Sequence, residues 1–171
     1  MKLVVAVDPE WGIGNKGDLL ARVRADLRYF QSLTKNHVVV LGSNTLATFP
    51  HGRVLKDRVN IVLNPSPDYA PEGAVVAHST SELFALLADY DTNDVFVIGG
   101  ASVYRQLLPY CDTAYVTRFG KVFEKDVYFE NLDASPEWRL ASEGEVMISD
   151  PETDTVGGMP FRFCRYERTC K

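Results

Sequence analysis

Cysteine is scarce: the 171 residues hold three, Cys111, Cys164 and Cys170. The number is odd and no CxxC pair occurs, which argues against a disulfide framework or a cysteine zinc site and favours a reducing compartment. Histidine is equally scarce, and His37, His51 and His78 lack the spacing of a metal-ligand set, so no metal is expected. No Ser/His/Asp set or nucleophile elbow stands out. No apolar run reaches the length that spans a bilayer. The opening MKLVVAVDPEW has too short an apolar stretch for a signal peptide. A cytoplasmic protein without a membrane partner is expected. Positive charge is also short: 18 Lys and Arg stand against 23 Asp and Glu, a formal net charge of −5. The basic residues form no run or stripe, so nucleic acid is not an expected partner. Internal repeats, low-complexity segments and association motifs are missing too, and a monomer is the expectation.

The remainder has the composition of a globular protein, 46% apolar and 24% charged. A single domain over 1–171 is expected at this length. Short β-branched runs recur: LVVAV (3–7), VVVLG (38–42), VNIVL (59–63), AVVA (74–77), VFVIG (95–99) and AYVTR (114–118). Their continuous apolar character predicts strands buried on both faces. Helical patterns lie between several of them, over Val23 to Thr34, Ser81 to Ala88 and Ala101 to Leu108, with Ser81 expected to cap the second. This alternation indicates an α/β domain with a largely parallel sheet. Beyond Tyr115, WRLAS (138–142) and FRFCRYE (161–167) alternate apolar with polar residues around the turn-rich SDPETDTVGGMP (149–160). An antiparallel hairpin with a long loop is expected there, and the proline-rich 64–73 reads as a surface loop.

Two junctions have a strand, then glycine, then a helix. In VFVIGGASVYRQLL (95–108), Gly99 and Gly100 allow close approach to the backbone, and the following helix presents unpaired N–H groups to an anion. In VVVLGSNTLATF (38–49), Gly42 ends a strand and Ser43, Asn44 and Thr45 are natural helix caps that could equally hold phosphate oxygens. Two such junctions make a dinucleotide plausible, although neither is a GxGxxG fingerprint. Arg58 opens the VNIVL strand, where a guanidinium could clamp a carboxylate or simply be solvated.

The segment 23–34 carries an anomaly. At 100° per residue Val23, Leu27, Phe30 and Leu33 share one arc, and Arg24, Arg28, Gln31 and Ser32 the other. Asp26 falls inside the apolar arc. It is either a first-turn acid that favours the helix dipole, or a carboxylate at the base of an apolar cleft, with a pKa raised by desolvation and two oxygens for an amidine-like ligand edge.

Taken in order, AVDPEWGIGNKGDLL, ADLRYF, VVVLGSNTLATFP, LKDRVNIVL, VFVIGGASVYRQLLP, AYVTR and DVYF resemble the dihydrofolate reductase family over essentially the whole chain. The resemblance implies an α/β fold with an eight-stranded, mixed and mostly parallel sheet, flanking helices and an antiparallel C-terminal strand. It implies NADPH-dependent reduction of 7,8-dihydrofolate to 5,6,7,8-tetrahydrofolate, with hydride passing to pterin C6 and a proton to N5, and antifolates as inhibitors. Asp26 would grip the 2-amino and N3 edge of the pterin, with Thr117 bonding both Asp26 and the pterin amino group. Val4, Val5, Leu27, Phe30, Phe49, Leu55 and Ile98 would wall the folate cleft. Arg58 would hold the α-carboxylate of the glutamate tail. Ala6, Ile13 and Leu19 would lie by the nicotinamide, Leu19 on a mobile loop. The rest of the cofactor would meet Gly42, Ser43, Asn44, Thr45, Leu63, Asn64, His78, Ile98, Gly99, Gly100, Ala101, Ser102, Val103 and Tyr104. Gly99–Gly100 would be a cis peptide, and Asp126 would tether a neighbouring loop to the mobile one.

The chain departs from the family pattern at three places. Leu19-Leu20-Ala21 stands where Leu-Pro-Trp is usual, Arg24 replaces a proline two residues before the acid, and Ser43 replaces an arginine that pairs with the 2′-phosphate of NADPH. His78 would substitute in part for that arginine. The rival readings are a pyrimidine reductase of riboflavin synthesis on the same fold and a non-catalytic folate- or dinucleotide-binding protein.

Overall fold

A computed structural model of the chain describes residues 1–169; Cys170 lies outside them. In chain order the elements are β1 (Lys2–Val7), β2 (Gly12–Asn15), β3 (Asp18–Leu19), α1 (Arg24–Thr34), β4 (Val38–Gly42), α2 (Ser43–Ala47), β5 (Val59–Leu63), β6 (Ala74–Ala77), α3 (Thr80–Leu87), β7 (Val95–Gly99), α4 (Ala101–Leu107), β8 (Thr113–Phe119), β9 (Val127–Tyr128), β10 (Trp138–Glu143), β11 (Met147–Ile148) and β12 (Pro160–Arg168). They fall into two compact units, one of Met1–Leu3 with Thr34–Tyr110, the other of Val4–Leu33 with the chain from Cys111 on.

In the first unit the strand order is β1-β7-β4-β5-β6. Every pair in it is parallel. The apolar runs explain this: β4 is buried through Val38–Leu41 and β7 through its whole length, as strands covered on both faces must be. The expectation of two buried faces fails for AVVA. β6 ends the strand order and has one neighbour, so Val75 is 45% exposed.

In the second unit the order is β10-β12-β8-β1, with β10, β12 and β8 antiparallel and β11 also paired to β12. The two orders share β1 and together contain eight strands, a mixed and mostly parallel sheet as expected. β1 alternates half-buried Val4 and Ala6 with buried Leu3, Val5 and Val7, so one of its faces is not packed into a core. A small antiparallel sheet, β3-β2-β9, completes this unit. Its two- and four-residue strands are too short and glycine-rich to announce themselves in the sequence.

Helix ends differ from expectation in three places. Ser79, not Ser81, caps α3: its hydroxyl accepts the Glu82 N–H, because the helix begins one residue earlier, at Thr80. Ser43 does not cap α2; its hydroxyl accepts from Asn64 Nδ2 instead, and no side chain caps that helix. Helix α4 ends at Leu107 and tightens into a 3₁₀ turn over Leu108–Tyr110, as Pro109 requires by removing a helical donor.

Candidate active site

Helix α1 has the two arcs read from its sequence, and Arg24, Arg28, Gln31 and Ser32 are exposed. Its apolar arc is not a core face, however. Leu27 is 43% exposed, Phe30 and Leu33 are half-buried, and within the helix only Thr34 is buried. Apolar side chains left in water at this density mark a ligand surface more often than a defect. Asp26 sits in that arc. Thr117, buried on β8, donates its hydroxyl to Asp26 Oδ1 at 2.6 Å. Oδ2 takes no hydrogen bond from the described residues. Burial pushes the carboxyl up to about 6, with the Thr117 bond working in the opposite direction. A first-turn acid that merely completed a cap would bond backbone N–H groups; Asp26 does not.

The same unit holds Val4, Ala6, Ile13, Phe30 and the 50%-exposed Leu19, all outside the core, whereas Val5 is buried, so a ligand would meet it through its main chain. Ala21 is a core residue. It packs with Val23, Phe119, Met159 and Phe161, and Phe123 and Val156 lie against that group.

The segment carrying Leu19 is held by a neighbouring loop. Asp126 Oδ2 accepts the Lys16 N–H at 3.0 Å, and the Asp126 N–H donates to Gly14 O at 3.1 Å, as the resemblance implied. A second tie was not foreseen. The Lys125 ammonium sits 2.8 Å from both Asp8 Oδ2 and Glu10 Oε1, with Lys125 and Asp8 buried. Burial raises the Asp8 pKa, but the Lys125 ammonium and the N–H groups of Phe123, Gly12 and Glu10 outweigh it and hold the carboxyl below its usual range. The Asp8 and Glu10 carboxylates push Lys125 up to about 12. The stem of Lys125 lies across Gly12, where any Cβ would strike it.

In the first unit, the candidate cofactor residues line up at the carboxyl ends of β7, β4, β5 and β6, where α/β sheets bind ligands. Gly99–Gly100 is a cis peptide, and Gly99 has a φ of 130°. A Cβ at Gly100 would come within 3.1 Å of Thr45 Oγ1, and one at Gly42 within 3.2 Å of Val103. A side chain at either position would therefore crowd Thr45 or Val103. Neither α2 nor α4 has a side-chain cap. Next along the row, Asn64 bonds Ser43, and His78 Nδ1 lies 2.9 Å from Asn64 O. Ala101, Leu63 and His78 are half-buried, Asn44 and Ser102 exposed, and Ile98, Val103 and Tyr104 buried.

Arg58 is in this unit too, with half-buried Phe49 and Leu55. Its Nε donates to Thr34 Oγ1 at 3.1 Å, and a terminal nitrogen donates to Lys56 O at 2.7 Å. Two partners on one guanidinium fix its plane.

The comparisons with known proteins agree with this geometry. A sequence profile described as "Dihydrofolate reductase" matches residues 1–168. A dihydrofolate reductase of Bacillus subtilis (strain 168) is 34% identical over 98% of this chain and 94% of its own. That of Staphylococcus haemolyticus is 31% identical over 98% and 95%. The chain belongs to the dihydrofolate reductase family. Family membership brings the family reaction, reduction of dihydrofolate with NADPH. Among solved structures, the dihydrofolate reductase from Enterococcus faecalis complexed with NADP(H) and RAB-propyl superposes with a TM-score of 0.83 at 31% identity, covering 99% of this chain and 96% of that one.

The residues that sequence reasoning missed are Asp8, Lys125, Asp154 and Thr155. Asp8 carried a faint signal, a carboxylate directly after an apolar strand. Asp154 and Thr155 carried none beyond their place in a turn-rich segment.

Proposed function

We propose that Asp26 is the carboxylate that binds the 2-amino and N3 edge of dihydrofolate and favours protonation of the pterin. The observation that carries this is the unshared Oδ2 on an apolar arc. One oxygen is fixed by Thr117, the other has no donor among the described residues, and desolvation raises the pKa to about 6, so that the group takes up a proton far more readily than an ordinary aspartate. NADPH supplies the hydride, which goes to pterin C6. The chain's part is alignment and exclusion of water. Thr117 sets the Asp26 plane and bonds the pterin amino group. Val4, Val5, Leu27, Phe30, Phe49, Leu55 and Ile98 contact the folate, and Ala6, Ile13 and Leu19 lie by the nicotinamide. Water delivers the proton to N5.

The residues at the strand ends fit a dinucleotide. The backbone around Gly42, Gly99 and Gly100, with Thr45 beside it, suits a diphosphate, and Ala101, Ser102, Val103 and Tyr104 continue that wall. Leu63, Asn64 and His78 suit the adenosine end. A hydroxyl at position 43 supplies no charge to a 2′-phosphate, and His78 compensates in part. Arg58, its plane set by Thr34, holds the α-carboxylate of the glutamate tail. Antifolates compete at the Asp26 site. The family match over residues 1–168 supports reading 1–171 as one domain. It acts as a cytoplasmic monomer with no nucleic-acid or membrane partner.

The test is loss of 340 nm absorbance with dihydrofolate and NADPH, comparing the wild type with Asp26→Asn. The variant keeps the shape and loses the ionisation. Activity falls about 10²–10⁴-fold near neutral pH, the range of a general acid–base group. It recovers in part at low pH, where solvent protonates the substrate. Full activity at pH 7 with a lowered melting temperature would reduce Asp26 to a helix-terminal acid.

A further inference from the structure

We propose that Asp154 is a positioning residue for Asp26, acting through the backbone of Arg24, an inference that rests on the reading of Asp26 given above. Helix α1 begins at Arg24. Its first backbone bond runs from Leu27 N to Val23 O, which makes Val23 the cap position and Arg24, Ala25 and Asp26 the first three helical residues. The N–H groups of that turn have no partner inside the helix. Relatives have proline where this chain has Arg24, and proline removes one such donor and pre-sets φ for a helix start. Arg24 restores the donor, frees φ, and puts a cation at the positive end of the helix dipole. Asp154 answers the first and the last of these. Its Oδ1 accepts the Arg24 N–H at 2.8 Å, 130 positions away in the chain, and its charge opposes both the dipole and the guanidinium. The Arg24 N–H holds the Asp154 carboxyl below its usual range.

The acid is delivered by a braced turn. The Asp150 N–H donates to Asp154 Oδ2 at 2.8 Å. The hydroxyl of buried Ser149 donates to Val156 O at 2.5 Å and accepts from the Met159 N–H at 2.8 Å. Thr155 grips the preceding residue at two points: Arg22 N donates to Thr155 Oγ1 at 2.9 Å, and Thr155 N donates to Arg22 O at 3.1 Å. Asp26 is the third helical residue, and its carboxylate leaves the helix end for Thr117 and the apolar arc. Asp154 fixes the first N–H of that same turn, so the remote loop sets the start of the helix and, through it, the direction in which Asp26 leaves the backbone.

The experiment is Asp154→Ala in three backgrounds: wild type, Arg24→Ala, which keeps the N–H, and Arg24→Pro, which removes it. The readouts are kcat/KM for dihydrofolate, KM for NADPH and the pH midpoint of the hydride step. In the first two backgrounds kcat/KM for dihydrofolate falls about five- to thirty-fold, the scale of a lost cap. The pH midpoint moves down toward the ordinary carboxylate value, because a frayed turn lets water reach Asp26. KM for NADPH stays within about twofold of its starting value. In the Arg24→Pro background Asp154→Ala changes kcat/KM less than about twofold. Equal losses with and without the Arg24 N–H overturn the proposal, as does a lowered melting temperature with the pH midpoint unmoved. Should the proline variant not fold, Asp154→Asn decides: it keeps a capping oxygen and retains kcat/KM within about threefold, and a loss equal to that of Asp154→Ala overturns the proposal. Failure of the Asp26 reading looks different, since Asp26→Asn then leaves the pH profile of the wild type unchanged.

Discussion

Thr117 Oγ1 lies 2.6 Å from Asp26 Oδ1 although 91 positions separate the two residues. The hydroxyl donates to the carboxylate, so it stabilises the ionised form and works against the desolvation that raises the pKa to about 6. Thr117→Val removes that donor in a buried place. The pH midpoint of the hydride step then rises by about one unit, the size of a hydrogen bond to a charged group. Single-turnover rates across pH 5 to 9 measure it, and an unmoved midpoint would show that Asp26 does not set the profile.

The same desolvation has a cost in the ligand-free protein. The folded pKa of Asp26 is raised from 3.8 to about 6, so folding favours the protonated form. The stability linked to Asp26 is fully present below the unfolded pKa and is lost as pH rises through the folded one. Asp26→Asn therefore stabilises the empty protein at pH 8, by about 1–3 kcal/mol, and the gain shrinks to nothing below about pH 4. Melting curves of both proteins over that range check it. A variant less stable at every pH would contradict it.

Arg58 is aligned by Thr34 and by Lys56 O. Arg58→Leu removes a charge-assisted contact to the glutamate tail, about 1.5–3 kcal/mol or roughly 10- to 150-fold in dihydrofolate affinity. Small pterin-like inhibitors without a glutamate bind almost as before. Equal weakening of both ligand types, measured by titration, would assign Arg58 a structural role.

Position 43 tests the cofactor end. Ser43 accepts from Asn64 Nδ2 at 2.9 Å. Ser43→Arg gives up that bond and adds a cation for the 2′-phosphate. KM for NADPH falls about tenfold or more, the scale of one charge-assisted phosphate contact, and KM for NADH hardly changes. Parallel changes for both cofactors would place position 43 away from the phosphate.

How much of this was legible in the sequence depended on where the physical cause lies. β4 and β7 were readable to the residue because a strand covered on both faces must be continuously apolar. Asp26 was readable as an anomaly because a helix fixes direction every 100°. The α3 cap was misread by two positions because Ser79 and Ser81 are equivalent until the first helical φ is known. That Leu27 stays exposed and Phe30 only half-buried could not be read from periodicity, since a ligand surface and a core face share one pattern. Asp154 and Lys125 were invisible because each acts on a partner more than 100 positions away, and local patterning says nothing about such pairs.

The Lys125 stem lying across Gly12 links two positions that evolution or an engineer would otherwise treat separately. Any side chain at position 12 must displace the lysine stem, and displacement leaves the buried Asp8 carboxylate with its backbone N–H donors but without its cation. Changing 125 alone has the same effect on Asp8. The three positions therefore form one heritable unit, and single-site libraries across this loop will find 8, 12 and 125 intolerant one at a time yet permissive in combination.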